Sequence, residues 1–93
     1  MILDLSLANE LLWIDCEIAI VAGKAALLTP TDNAIDLLGR RLGELAVDPD
    51  EVTLTGGMAI WAYLVAFHFL HGKTRRIYYQ DGRGDRFLVA AHG

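Results

Sequence analysis

A single apolar run bounded by glycines limits the folds open to this chain more than any other feature. The run extends from Met58 to Leu70, directly after Gly56-Gly57 and shortly before Gly72. At about 13 residues it is shorter than the roughly 20 that cross a bilayer, so no membrane span is expected. Because it is apolar on nearly every side, we predict a central helix, about Met58 to His71, packed between a sheet and a second layer.

Composition favours one small domain with more apolar surface than it can hide. The chain has 93 residues and 54% of them are hydrophobic. We expect a single domain spanning residues 1–93 that covers part of this surface by forming a homodimer or a larger oligomer. The single cysteine, Cys16, excludes an intrachain disulfide, and its apolar surroundings favour an inert core thiol. With no basic N-terminal start typical of a signal peptide, a cytoplasmic location is expected.

The charge distribution favours a short anionic ligand over a nucleic-acid polymer. The net charge of −4 argues against binding long nucleic acid, which depends on many phosphate contacts. Five of the eight basic residues nevertheless share one window with only two aspartates. The basic residues are Lys73, Arg75, Arg76, Arg83 and Arg86. A local positive patch on an acidic protein suits a small phosphate-containing ligand.

The first third of the chain alternates between apolar and polar residues. Ile2 to Leu7 and Leu12 to Ile20 both show this period, with Ala8-Asn9-Glu10 between them. We interpret the two segments as a β-hairpin. One continuous helix is the competing interpretation, because leucine and alanine favour helices.

The rest of the sequence, from Pro30 onward, predicts two helices and three strands. A helix opens at Pro30 with Thr31 or Asp32 as its N-cap. Its apolar residues recur at helical spacing: Ile35, Leu38, Leu42 and Leu45. Strands are expected at Glu51–Thr55, Arg75–Gln80 and Arg86–Ala91, the last two joined by a glycine-rich turn. The order ββαβαββ predicts an α+β fold, a small mostly antiparallel sheet with two helices.

The chemistry-bearing residues lie in the last third. Gly56-Gly57 lies between a strand and a helix, where the absence of side chains lets a phosphate approach the backbone amides. A tight turn is the simpler interpretation of this glycine pair. His68 and His71 are three residues apart, which places both on one helix face, and His68 is equally consistent with a core role. Asp81 is the first residue of a glycine-rich turn. Arg83 in that turn either binds phosphate through its planar guanidinium or is an ordinary solvated charge.

The length of the central helix constrains any shared site. A helix of about 14 residues is about 20 Å long, so Gly56-Gly57 at one end and His71 at the other cannot bind the same phosphate within one chain. The ligand is therefore large, or two subunits build the site.

The joint spacing of these residues resembles the small type III CRISPR-associated ring nucleases of the Csx-three type. The matching pattern is a strand, the segment Thr55 to Trp61, histidines seven and ten residues beyond Trp61, Asp81-Gly82-Arg83, and His92 eleven residues beyond Asp81. The resemblance covers about forty residues, from Val52 to His92. The segment before the first helix differs from the family in length and composition.

The resemblance implies cleavage of cyclic oligoadenylates, most typically cyclic tetra-adenylate, into linear products, which switches off type III CRISPR antiviral signalling. Family members are dimers that stack to enclose the ring, so a homodimer assembling into a tetramer is expected, with no membrane partner and no long nucleic acid. It also implies Mn²⁺ dependence, with His68, His71, Asp81 and His92 at positions involved in metal binding or catalysis. The metal ligands that we predict are His68, His71 and Asp81, while metal-independent cleavage stays open.

The expected chemistry is attack of a ribose 2′-hydroxyl on the adjacent phosphorus, which needs a base, an acid and positive charge on the phosphate. The predicted site falls into two groups. The catalytic group is His71, Asp81, His68 and Arg83, and the ligand-binding group is Thr55, Gly56, Gly57, Met58 and His92. The alternatives are a module that binds or sequesters cyclic oligoadenylate without cutting it, and an interaction domain whose apolar helix drives oligomerisation.

Overall fold

Six strands and two helices make up the part of the chain that a computed structural model describes, residues 1–92. The strands are β1 Ile2–Asp4, β2 Ile18–Val21, β3 Lys24–Leu27, β4 Glu51–Thr55, β5 Arg76–Gln80 and β6 Arg86–Ala91, and the helices are α1 Thr31–Glu44 and α2 Ile60–Leu70. The predicted α+β class with two helices is confirmed. One short strand, β3, is present in addition to those predicted.

The main sheet is mixed and has the order β1-β4-β5-β6. β4 lies between β1 and β5 and is parallel to both, whereas β6 is antiparallel to β5. The strands β2 and β3 form a separate antiparallel hairpin. Because β1, β4 and β5 run the same way, their carboxyl ends meet at one edge of the sheet.

The predicted hairpin between residues 2–7 and 12–20 is wrong, and so is the competing continuous helix. β1 pairs with β4, fifty residues along the chain, and β2 pairs with β3 instead. The intervening residues form turns from which Leu5, Leu12 and Trp13 enter the core, whereas Leu11 and Ile14 are exposed. The Trp13 indole N–H fixes these turns by donating to the carbonyls of Leu5 and Ser6, at 3.2 and 3.1 Å. The alternation therefore does not indicate a hairpin: only Ile2–Asp4 and Ile18–Val21 of the two segments are strands, and they do not pair with each other.

Helix α1 begins one position earlier than the predicted N-cap implies. Pro30 is the N-cap, without a side-chain cap, and its carbonyl accepts the Ala34 amide at 2.8 Å. Thr31 and Asp32 are helical, so their assignment as caps is wrong. Proline at this position is compatible with the helix start because its missing N–H would have had no helical partner.

Helix α2 buries one face and leaves another open. Ala62, Ala66 and Leu70 are buried in the core, whereas Ile60 and Leu64 are exposed. Helix α1 flanks α2 closely because Gly39 has no side chain to displace the Phe69 ring. The prediction that α2 is covered on both sides is wrong for a single chain. The crossovers between the parallel strands β1, β4 and β5 are expected to be right-handed, which places both helices on one face of the sheet.

Candidate functional site

A cleft of about 540 Å³ lies at the carboxyl ends of β4 and β5. Its walls are Thr55, Gly56, Gly57, Tyr63, Tyr79 and residues 80–84. Two segments that are far apart in sequence, the Gly56-Gly57 pair and the Asp81–Arg83 turn, thus face one cavity. The cause is the parallel pairing of β4 with β5, and the carboxyl ends of parallel strands are where open sheets bind ligands.

Gly56 is required by packing at the cleft. Its φ of +105° is a conformation that L side chains rarely adopt, and a Cβ there would collide with the Asp4 carboxylate and the Ser6 amide. Gly57 has open space around its Cα. Of the two glycines, Gly57 is therefore the one whose backbone a ligand can approach.

Tyr63 joins α2 to the floor of the cleft. Its hydroxyl donates to the Gly56 carbonyl, and its ring packs edge-on against Tyr79 with centroids 5.6 Å apart. Burial raises the pKa of the Tyr63 phenol, and the nearby Tyr79 and Asp4 raise it further. The phenol is therefore a hydrogen-bond donor across the physiological pH range.

The turn between β5 and β6 is organised by Asp81. Its Oδ1 accepts the amides of Arg83 and Asp85, at 2.9 and 3.0 Å. This is the turn-forming role that the sequence allowed for Asp81. Among residues 1–92 the exposed Arg83 guanidinium has no ion-pair partner, so it is available to an anion in the cleft.

The opposite end of the sheet carries the imidazoles. His71, the C-cap of α2, lies with its Nε2 2.9 Å from Nε2 of His92, which follows β6. In this contact one ring donates the hydrogen bond and the other accepts it. The pair borders a cavity of about 390 Å³ together with Lys73, Thr74 and Arg75.

Thr74 adds a polar group to this cavity. It is 4% exposed, and within the described chain its hydroxyl has no hydrogen-bond partner. A buried hydroxyl without a hydrogen-bond partner costs stability.

His68 lies in neither of these two cavities. It borders a groove of about 530 Å³ between α1 and α2, with its ring edge-on to Phe69. His71 borders a different cavity, so the structure does not bring the two histidines together as the helical spacing suggested. Met58 packs against the core and is not part of the cleft wall.

The predicted catalytic residues His71 and Asp81 therefore lie at opposite ends of β5. His71 precedes β5 and Asp81 follows it, and five strand residues span about 16 Å. Among residues 1–92, no group of three histidine, cysteine or carboxylate side chains is arranged to hold a metal. The proposed set His68, His71 and Asp81 is not assembled within a single chain.

Several residues of these cavities were not predicted from sequence. Tyr63, Tyr79 and Gln80 border the cleft, and Thr74 borders the histidine cavity. The strand–helix–strand order around Gly56-Gly57 is the signal that could have identified the cleft residues, because it is typical of two parallel neighbouring strands.

In comparisons with known proteins, no family model, no curated protein and no solved structure matches the chain. Neither helix in the described residues is both long and apolar enough for a membrane span.

Proposed function

We propose that this protein is a cytoplasmic ring nuclease that cleaves cyclic oligoadenylates, cyclic tetra-adenylate above all, to linear products and so switches off type III CRISPR signalling. The resemblance of Val52 to His92 to such nucleases supports the substrate class. The observation that carries the proposal is the division of the site: the imidazoles lie at one end of β5 and the Arg83 turn at the other. A ring of nucleotides between two chains can contact both.

The reaction needs one proton acceptor and one proton donor. The ribose O2′ forms a bond to phosphorus as the P–O5′ bond breaks, which leaves a 2′,3′-cyclic phosphate and a free 5′-hydroxyl. The O2′ proton passes to a base, and an acid gives a proton to the leaving O5′. His71 and Asp81 are the candidates for these two roles, and His92 fixes the tautomer of His71 through their Nε2 contact.

The other end of the molecule supplies charge and position. Asp81 holds the turn that presents Arg83, and the Arg83 guanidinium binds the phosphate oxygens. The Gly57 backbone forms a second contact point for an anion. His68 borders another groove, so the proposal gives it no step.

A manganese ion is not part of the proposed steps. His68, His71 and Asp81 do not meet within one chain, so the residues present do not fit a metal centre of that composition. Cleavage assays with added EDTA or Mn²⁺ test this separately from cleavage itself.

Incubation with labelled cyclic tetra-adenylate tests the proposal directly. We expect linear product with a 2′,3′-cyclic phosphate end, and a loss of roughly 100-fold or more in rate for His71→Ala, as for removal of a general acid or base. Arg40→Ala, an exposed change on α1, is the matched control and should cut at the wild-type rate.

Two outcomes would contradict the proposal. A stable complex without linear product would make the chain a binding or sequestering module. Wild-type cleavage by His71→Ala would remove His71 from the mechanism.

A further inference from the structure

Strand β6 is an outer edge of the sheet with unusually apolar side chains. Phe87, Leu88 and Val89 are consecutive and each is 53% to 56% exposed. Only β5 pairs with this strand, so the backbone groups on its other side lack strand partners among residues 1–92. Natural proteins seldom leave a six-residue apolar edge uncovered, because it attracts other strands.

We propose that two copies of this chain pair through β6, antiparallel about a two-fold axis, into one continuous eight-stranded sheet. An antiparallel pair of identical strands is self-complementary, so the contact closes on itself and does not grow into a filament. The second copy, and not a foreign peptide, is the occupant because the edge complements itself in shape and charge.

The complementarity appears in one register. Phe87 pairs with Tyr79 and Ala90 with Ile77, so both β6 side chains lie on the helix-covered face of the sheet. Setting Phe87 opposite the partner's Ala90 places a large side chain against a small one. The same register sets Asp85 opposite the partner's His92, an acidic group beside an imidazole.

A groove beside β6 accommodates the large side chain. It measures about 400 Å³, and its walls are apolar and aromatic. The groove residues include Leu64 and Phe67 of α2 and Val89 of β6. The exposed Phe87 ring of each copy fits the groove of the other, which also covers the open flank of α2.

This pairing brings together the two parts of the proposed site, the Asp81–Arg83 turn and the His71–His92 pair. This step rests on the proposed function. β6 begins after the Asp81–Asp85 turn and ends before His92, so an antiparallel partner brings the turn of one chain beside the imidazoles of the other. The partner's His92 lies about 10 Å, two strand spacings, from Asp81. A phosphodiester bound between the two side chains contacts both, and each dimer contains two such sites.

The mass of the protein in solution tests the pairing without any substrate. Leu88→Lys places a charge on the exposed edge and should reduce the mass from two chains to one by light scattering, with unchanged circular dichroism. Ile20→Lys, on the exposed β2–β3 hairpin, is the matched control and should stay dimeric. A monomeric wild type, or dissociation by Ile20→Lys with Leu88→Lys still dimeric, would overturn the proposal.

Crosslinking tests the register independently of Leu88→Lys. In a Cys16→Ser background, Asp85→Cys with His92→Cys should form a disulfide-linked dimer on a non-reducing gel, because opposed strand residues lie within disulfide reach. Either cysteine alone should give far less dimer, and equal yields would contradict the register.

The two proposals fail in different ways. A wild-type dimer that Leu88→Lys dissociates, but that does not cleave cyclic tetra-adenylate, keeps the β6 interface and removes the nuclease function. Cleavage by a protein that stays monomeric keeps the function and removes the interface.

Discussion

Gly56 and Gly57 are adjacent in the chain but have different physical requirements. Gly56 combines a φ of +105° with contact to Asp4 and Ser6, whereas Gly57 is surrounded by open space. We predict that Gly56→Ala lowers the free energy of unfolding by about 2 kcal/mol or more, because strain and collision add. Gly57→Ala should change it by less than about 0.5 kcal/mol. Urea denaturation of both variants measures the difference, and equal losses would contradict the assignment.

The environment of Tyr63 leads to a second specific prediction, on how stability depends on pH. Tyr63→Phe removes the hydrogen bond to the Gly56 carbonyl and should cost about 1 kcal/mol of unfolding free energy. Because the folded-state pKa lies above the ordinary value of 10.0, ionisation favours unfolding. The contribution is therefore present below pH 10.0 and is lost as the pH rises through the folded-state pKa. Thermal melts from pH 8 to 11 should show a smaller alkaline loss for Tyr63→Phe than for the wild type.

At the scale of elements, α2 has one face that stabilises the fold and one that does not. Leu70 is 1% exposed within the core, whereas Ile60 on the same helix is 78% exposed. We predict that Leu70→Ala lowers the free energy of unfolding by about 3 kcal/mol through the lost contacts and the cavity it leaves. Ile60→Ala, the control, should cost less than about 0.5 kcal/mol. Similar losses by denaturant titration would mean that α2 is buried on both sides.

The elements that depend on local pattern were predicted closely. The bounds of β4 and β6 match the structure, and α2 differs by one or two residues at its ends. The hairpin prediction in the first third failed because sequence alternation there does not follow burial: the neighbours Leu12 and Trp13 are both buried in a turn, whereas Ile14 is 61% exposed. Likewise Gly56-Gly57 and Asp81–Arg83 were identified separately, but their shared cleft depends on the pairing of β4 with β5. That contact joins residues about 25 positions apart, and only the strand–helix–strand order between them indicates it.

At the scale of the whole molecule, the central claim is that each catalytic site draws on two chains. Helix length predicted the separation of Gly56-Gly57 from His71, and the structure places the corresponding cavities at opposite ends of β5. Under the proposed function, a composite site explains why the His71–His92 pair and the Arg83 turn lie apart in so small a domain.

Complementation between two inactive variants tests this claim most directly. His71→Ala and Asp81→Ala chains, each inactive alone, are co-expressed so that they mix during assembly, and cleavage of cyclic tetra-adenylate is measured. In random mixtures about a quarter of composite sites combine an intact His71 with an intact Asp81 from the partner, so roughly a quarter of the wild-type rate should return. A mixture as inactive as its components, beside an active wild type, would place the whole site in one chain and contradict the account.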